Sequence, residues 1–321
     1  MDLLPVLLLT VLIVGYFVLA GCDIGLGMAA PRLARTPGER RRLVSAIAPY
    51  FLGTEVWLVA AIGVIAGLFP SLKDVLFGGG MWAVFTALAL GWLMRDAGLW
   101  ARARIDTARW RSACDAALVG GSWTLAVCWG LAVGGLLAGG RPLTPCALTC
   151  ALAVVALFVL RGAAFGAERL VPTGSAASAV SAGEAARFTR LLARTSLGAG
   201  LLAVLLAVVP GTGAALGRPW PALAVAVAAL AAVAATSGVS GPHLSRHTSA
   251  LALGSLPALV GAALVLPLAP APAGTLILVG AAVVPVLPLM VVGQVALYRM
   301  LRRPAPEHGF FVTPPAVPAG R

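Results

Sequence analysis

Charged side chains are scarce in this chain: Asp, Glu, Lys and Arg make up 11% of 321 residues, while 60% are apolar. A soluble domain carries roughly 25% charged residues. Too little polar surface exists to cover a folded exterior in water, which excludes an ordinary globular enzyme, a disordered chain and a secreted disulfide scaffold. Histidine is nearly absent. His243, His247 and His308 are expected in loops or the tail. Haem iron in a membrane bundle is usually held by His, sometimes with Met, so the chain is not expected to bind haem by itself. Met28, Met94 or Met290 could serve as a second ligand only if a partner supplied the first. The five cysteines (Cys22, Cys114, Cys128, Cys146, Cys150) form no C-x-x-C pair, so neither a metal site nor a disulfide framework is expected. No Walker loop, dinucleotide fingerprint, Ser/His/Asp set or zinc-protease motif occurs.

What is present is apolar length. About 20 residues of helix span a hydrocarbon core of roughly 30 Å, and nine stretches qualify: approximately 4–27, 49–69, 79–97, 116–138, 146–166, 190–209, 219–237, 248–268 and 274–298. None alternates as a transmembrane strand would. The expected fold is therefore all-α and polytopic, with nine helices arranged as two four-helix bundles plus one helix. Residues 1–303 form one integral-membrane domain, divided into a first half at 1–166, a flexible cytoplasmic linker at 167–189 and a second half at 190–303. The Pro-rich tail, 304–321, is expected to be disordered. Asp2 precedes the first apolar run where a signal peptide would have basic residues, so that run reads as a permanent span.

A net charge of +12, from 22 Arg, one Lys and 11 acids, would suggest nucleic acid in a soluble domain. Placed on the nine spans, twenty cations fall after helices one, three, five, seven and nine. Lys73, Arg141 and Arg218 alone fall on the other side. Lys and Arg are retained on the cytoplasmic side of short loops. The split implies an outside N-terminus and a cytoplasmic C-terminus in a bacterial cytoplasmic membrane, with membrane lipids and not nucleic acid as surroundings.

Nine of the eleven acids, Asp96 and Asp115 included, fall at helix ends, in loops or at termini; Asp23 and Glu55 lie within spans. An intramembrane carboxylate is costly unless paired, hydrated or protonated, so it marks a candidate site. Asp23 lies near the inner end of helix one. Glu55 is six residues past Pro49, about 9 Å along helix two. Two carboxylates at similar depth, with the Thr54 hydroxyl beside them, could form a proton-uptake funnel; the alternative is that each snorkels to the interface or pairs with a loop Arg. Gly21, Gly25 and Gly27 surround Asp23, and the Gly21–Gly25 spacing is that of close helix packing. The eight tryptophans mostly lie near helix ends, as an aromatic belt would place them.

The run Gly15-Tyr16-Phe17-Val18-Leu19-Ala20-Gly21-Cys22-Asp23-Ile24-Gly25-Leu26-Gly27-Met28 resembles the first helix of subunit II of cytochrome bd quinol oxidases. Further matches follow in order: Glu39-Arg40-Arg41-Arg42, Ile47-Ala48-Pro49, Gly53-Thr54-Glu55-Val56-Trp57-Leu58, Phe69-Pro70, Arg95 with Gly98, and Ala108-Arg109-Trp110-Arg111 with Asp115. Pro288, Gln294, Tyr298 and Arg302 resemble its closing helix more weakly. The similarity is good over about residues 12–125. It implies a nine-helix, haem-free subunit in a heterodimer with a haem-bearing subunit I, the complex oxidising quinol and reducing dioxygen to water. Subunit II would contribute scaffold, lipid or quinone contacts and part of a proton route from the cytoplasm. Two family acids are missing: Leu52 stands where the family's W-D-G-N segment has Asp, and Trp100 matches the acid of an F-D-Y-R-like segment. These losses leave a second reading, a diverged paralogue acting as transporter subunit or membrane assembly scaffold.

Overall fold

A computed structural model describes residues 3–105, 107–170, 176–238, 242–269 and 271–300. The tail 304–321, with Arg302 and His308, lies outside the described residues. Among them every regular element is helical: α1 (Leu3–Leu33), α2 (Pro37–Leu68), α3 (Leu72–Phe77), α4 (Met81–Ala101), α5 (Ala108–Leu137), α6 (Pro145–Arg169), α7 (Ala176–Val208), α8 (Pro219–Gly238), α9 (Pro242–Ala263), α10 (Ala273–Val283) and α11 (Val286–Met300). The nine expected apolar stretches fall on α1, α2, α4 to α9, and α10 with α11. Seven segments are long and apolar enough to cross a membrane. The other two, α4 and α9, carry Arg95 and Asp96 or a polar first two turns, which lower their mean hydropathy.

Helix boundaries follow local chemistry. The Thr36 side chain accepts the Glu39 N–H while the Glu39 carboxylate accepts the Thr36 N–H, a reciprocal cap that starts α2 at Pro37. Thr107 and Thr144 cap α5 and α6 in the same way from one side. Pro49 therefore lies inside α2 and does not begin it, and Glu55 sits about 27 Å along the helix, not about 9 Å. The segment expected as a linker, 167–189, is helical from Ala176 and up to Arg169. Its Ala-rich composition suits a helix as well as a tether. His243 and His247 likewise belong to the first turns of α9, not to a loop.

Packing sorts the helices into two groups with a shared seam. One group comprises α1, α2, α4 and α5; the other is the ring α6, α7, α8 and α9, closed by α6 on α9. Helices α1 and α5 face α6, α1 also faces α9, and α10 and α11 lie against α2. Each of the seam's closest approaches needs the absence of a side chain. A Cβ on Gly25 would overlap the Phe158 carbonyl and the Gly162 backbone of α6, and one on Gly162 would overlap Gly25 in return. Gly21 faces Leu253 and Arg161, and Gly27 faces Ser122 of α5. Arg161 pins the same seam: buried in α6, it donates to the carbonyls of Val18 in α1 (3.3 Å) and Arg246 in α9 (2.6 Å). Arg95 and Arg161, counted above among loop cations, are thus helix-interior residues, because a guanidinium can be buried where carbonyls or carboxylates receive its N–H groups.

Gly63 offers a control, since nothing lies within 4 Å of a Cβ there. Gly25→Ala should cost at least about 1–3 kcal/mol by overpacking, whereas Gly63→Ala should be neutral or slightly stabilising. Thermal unfolding in one detergent should show a lower midpoint for Gly25→Ala and no loss for Gly63→Ala.

Candidate functional site

Arg95 stands at the meeting of α1, α2 and α4. A Cβ on Gly121 of α5 would collide with Arg95 N, Arg95 Cβ and Gly91 O, so α5 packs directly against this turn of α4. The side chain is 4% exposed. Arg95 Nη1 lies 3.6 Å from Asp23 Oδ2, Nη2 lies 3.5 Å from Glu55 Oε1, and Nε faces Asp96 Oδ1 at 3.6 Å. The guanidinium also covers the Phe51 ring, 4.8 Å from its centroid, a cation–π contact on the helix that carries Glu55. Phe51 in turn meets Trp100 edge-on.

Each carboxyl has neutral donors as well. Asp23, with no exposed side-chain surface, accepts the Ile24 N–H on Oδ1 (2.8 Å). The Thr54 hydroxyl lies 3.4 Å from Asp23 Oδ2 while donating to the Phe51 carbonyl at 2.9 Å. Glu55 Oε1 accepts a short bond from the Trp92 indole N–H, 2.7 Å. The carboxyls of Asp96 and Glu55 approach neighbouring nitrogens, Nε and Nη2, of the same guanidinium. Glu55 and Asp96 remain partly accessible, at 18% and 19%, and Asp23 is enclosed behind them.

The three residues singled out from the sequence for proton transfer, Asp23, Thr54 and Glu55, are therefore brought together. Arg95, Asp96 and Trp92 were missed as members of the site. Arg95 had been counted with the cations that follow helix three, and Asp96 placed at a helix end, because the charged pair stands at the close of the apolar stretch 79–97. The available signal was spacing: Trp92, Arg95 and Asp96 stand at i, i+3 and i+4, on one face of a helix. Other motif positions serve packing. The Trp57 ring covers Gly15 of α1, and Gly53 faces the Gln294 and Leu297 side chains of α11. Arg109 and Trp110 are exposed in the first turn of α5, where the Trp110 indole donates to Ala101 O (2.7 Å). Trp92 and Trp129 depart from the belt, since both indoles donate inside the bundle, Trp129 to the Tyr16 hydroxyl.

Residues 1–301 match the family described as cytochrome bd terminal oxidase subunit II. The chain belongs to that family. It is 35% identical over 133 residues to the cytochrome bd-I ubiquinol oxidase subunit 2 of Escherichia coli strain K12, a stretch covering 41% of this chain and 35% of the relative. It is 33% identical over 109 residues to the cytochrome bd ubiquinol oxidase subunit 2 of Bacillus subtilis strain 168, covering 34% and 32%. These alignments thus span about a third of each relative's length. A chain of the bd oxidase from Geobacillus thermodenitrificans shares the fold, with a TM-score of 0.60, 14% identity, and coverage of 93% of this chain and 98% of that one. The protein is an integral membrane protein of the bd oxidase subunit II family, and the transporter or scaffold reading is not favoured.

The family implies a haem-containing complex. Of the residues weighed above as ligands, Met28 is packed into the core, Met94 is exposed on α4, and His247 is exposed beside Arg246 at the start of α9. Among the described residues no group of three or more His, Cys, Asp and Glu side chains gathers as a metal site, and no step is assigned here to haem.

Breaking a buried ion pair by removing one partner costs about 3–5 kcal/mol, because the other charge stays buried. Arg95→Gln should therefore destabilise the chain by about that amount. Asp23→Asn combined with Arg95→Gln should cost clearly less than the sum of the two, a non-additivity measurable in a double-mutant cycle of denaturation midpoints.

Proposed function

We propose that this chain is the haem-free subunit II of a quinol:oxygen oxidoreductase of the cytochrome bd type, in the bacterial cytoplasmic membrane, working beside a haem-bearing subunit I. The family match over residues 1–301 supports that placement. The observation that carries the role of this chain's own residues is the buried arginine with three carboxyls around it. Charges at this depth persist only when paired, and in membrane bundles such groups mark ion and proton routes. Asp23, Thr54 and Glu55 belong to a proton-uptake route that starts at the arginine-rich end, which the positive-inside bias makes cytoplasmic. Nine spans with an outside N-terminus complete the reading. Quinol is the substrate of the complex; a quinone could contact this subunit through its lipid-facing helices.

The residues divide the work by position. Arg95 fixes the carboxyls and compensates whichever is ionised. The Ile24 N–H and the Trp92 indole orient Asp23 and Glu55, with the Thr54 hydroxyl beside Asp23, leaving each carboxyl with a free lone pair for water or a proton. Asp23→Asn leaves Arg95 paired with Glu55 and Asp96, whereas Glu55→Gln removes the partly accessible member.

Co-purification should recover a stoichiometric haem-containing membrane partner and quinol-dependent oxygen uptake, and the absence of both would refute the assignment. In that complex Glu55→Gln should slow oxygen uptake and proton translocation more than Asp23→Asn does. Unchanged rates in both variants would remove these residues from the route.

A further inference from the structure

We propose that Glu55 and Asp96 share one proton between their carboxyl groups, so that Asp96 is the outer proton-accepting residue ahead of Asp23. The direction of transfer rests on the proton-uptake reading above; the sharing itself rests on geometry. Arg95 is one cation facing three carboxyls. Its best-enclosed partner is Asp23, whose second oxygen takes the Ile24 N–H. Glu55 Oε1 is engaged by the Trp92 indole and by Arg95, and Asp96 Oδ1 faces Arg95 Nε. Nη2 and Nε are neighbouring donors on one edge of the guanidinium, so the Glu55 and Asp96 carboxyls are drawn side by side against that edge, at 3.5 and 3.6 Å. An ionised carboxylate is acceptor-only, so two of them in contact repel, and one proton between them converts the repulsion into an O–H···O bond.

The surroundings supply no second compensating charge from the neighbouring arginines at this end: Arg102 and Arg40 are committed to Asp115, at 2.6 and 3.7 Å. The groups around the pair are Arg95, which contacts both carboxyls, the Trp92 indole, which donates to Glu55, and Asp23, on the remaining nitrogen of the same guanidinium, with the Phe51 ring against its face. Accessibility gives the order, since Asp96 and Glu55 are each nearly one-fifth exposed and Asp23 is not exposed at all. In the step itself, with the shared proton on Glu55, the charged Asp96 accepts a second proton from the water side. Glu55 then releases a proton towards Asp23, the Asp23 carboxylate becoming neutral as that of Glu55 becomes charged, and Arg95 transfers its pairing from the first to the second. Proton and charge balance without any other reactant.

Infrared difference spectra of the complex of this chain with its partner, in ordinary and heavy water, test the proposal without relying on turnover. A deuterium-sensitive carbonyl stretch of a protonated carboxyl is expected, lost in Glu55→Gln and in Asp96→Asn and kept in Asp23→Asn. Absence of the band, or its survival in either of the first two variants, overturns the shared proton. Should those variants fail to assemble, carbon-13 carboxyl labelling of the unmutated complex replaces them: a band indifferent to both the aspartate and the glutamate label overturns it equally. Loss of the band in both variants with unaltered proton translocation supports the shared proton and overturns the uptake route; slowed translocation with no band does the reverse.

Discussion

A guanidinium in an apolar bundle cannot give up its charge, since its proton affinity keeps it ionised at any physiological pH. Arg95 is therefore a fixed demand on its neighbours, and the helices around it are arranged to meet that demand. Asp23 arrives from α1, Glu55 from α2 and Asp96 from the next position on α4 itself, while Phe51 offers its ring face. Remove the cation and three carboxyls lose their common partner. The desolvation that makes such a cluster expensive also penalises any arrangement of α1, α2 and α4 that leaves one of these charges unpaired.

The paired arrangement is held from the other side by helices with almost no side chain at their contacts. Gly25 and Gly162 place the α1 and α6 backbones directly against one another, and Gly91, Gly98 and Gly121 do the same for α4 and α5. In lipid the hydrophobic effect gives little drive between helices, so close van der Waals fit has to supply it. The glycines position the charged cluster as directly as its own hydrogen bonds do. Arg161 adds a polar tie across α1, α6 and α9, spending its N–H groups on carbonyls where Arg95 spends them on carboxylates.

Much of this was legible in residue order. Apolar length located every helix except the short α3, and the motif run from Gly15 to Asp115 pointed to the family. Asp23 and Glu55 stood out because an acid inside an apolar stretch is conspicuous. Arg95 and Asp96 did not, since a basic and an acidic residue next to each other look like the end of a span, and only the contact of α4 with α1 and α2 shows that the helix continues for another turn. The start of α2 was hidden for a related reason. Proline at 49 reads as a boundary, but the Thr36 cap lies thirteen residues earlier; Arg40, Arg41 and Arg42 ride on the first two turns, and the helix is buried from Leu43 to Tyr50. The Ala-rich stretch before residue 190 has no local feature that separates helix from tether; α7 extends through it.

The glutamate on α2 and the aspartate on α4 have a common offset. The family resemblance puts acids at the positions of Leu52 and Trp100, and this chain has them three residues later on α2 and four residues earlier on α4. The two helices run in opposite directions, so both displacements point the same way, away from the arginine-rich end, by about 4.5 and 6 Å. Each move keeps the acid on its original helix face. Two of the three acids around Arg95 thus lie about one helical turn deeper from that end, while Asp23 keeps its place, so all three gather at one depth around a single cation.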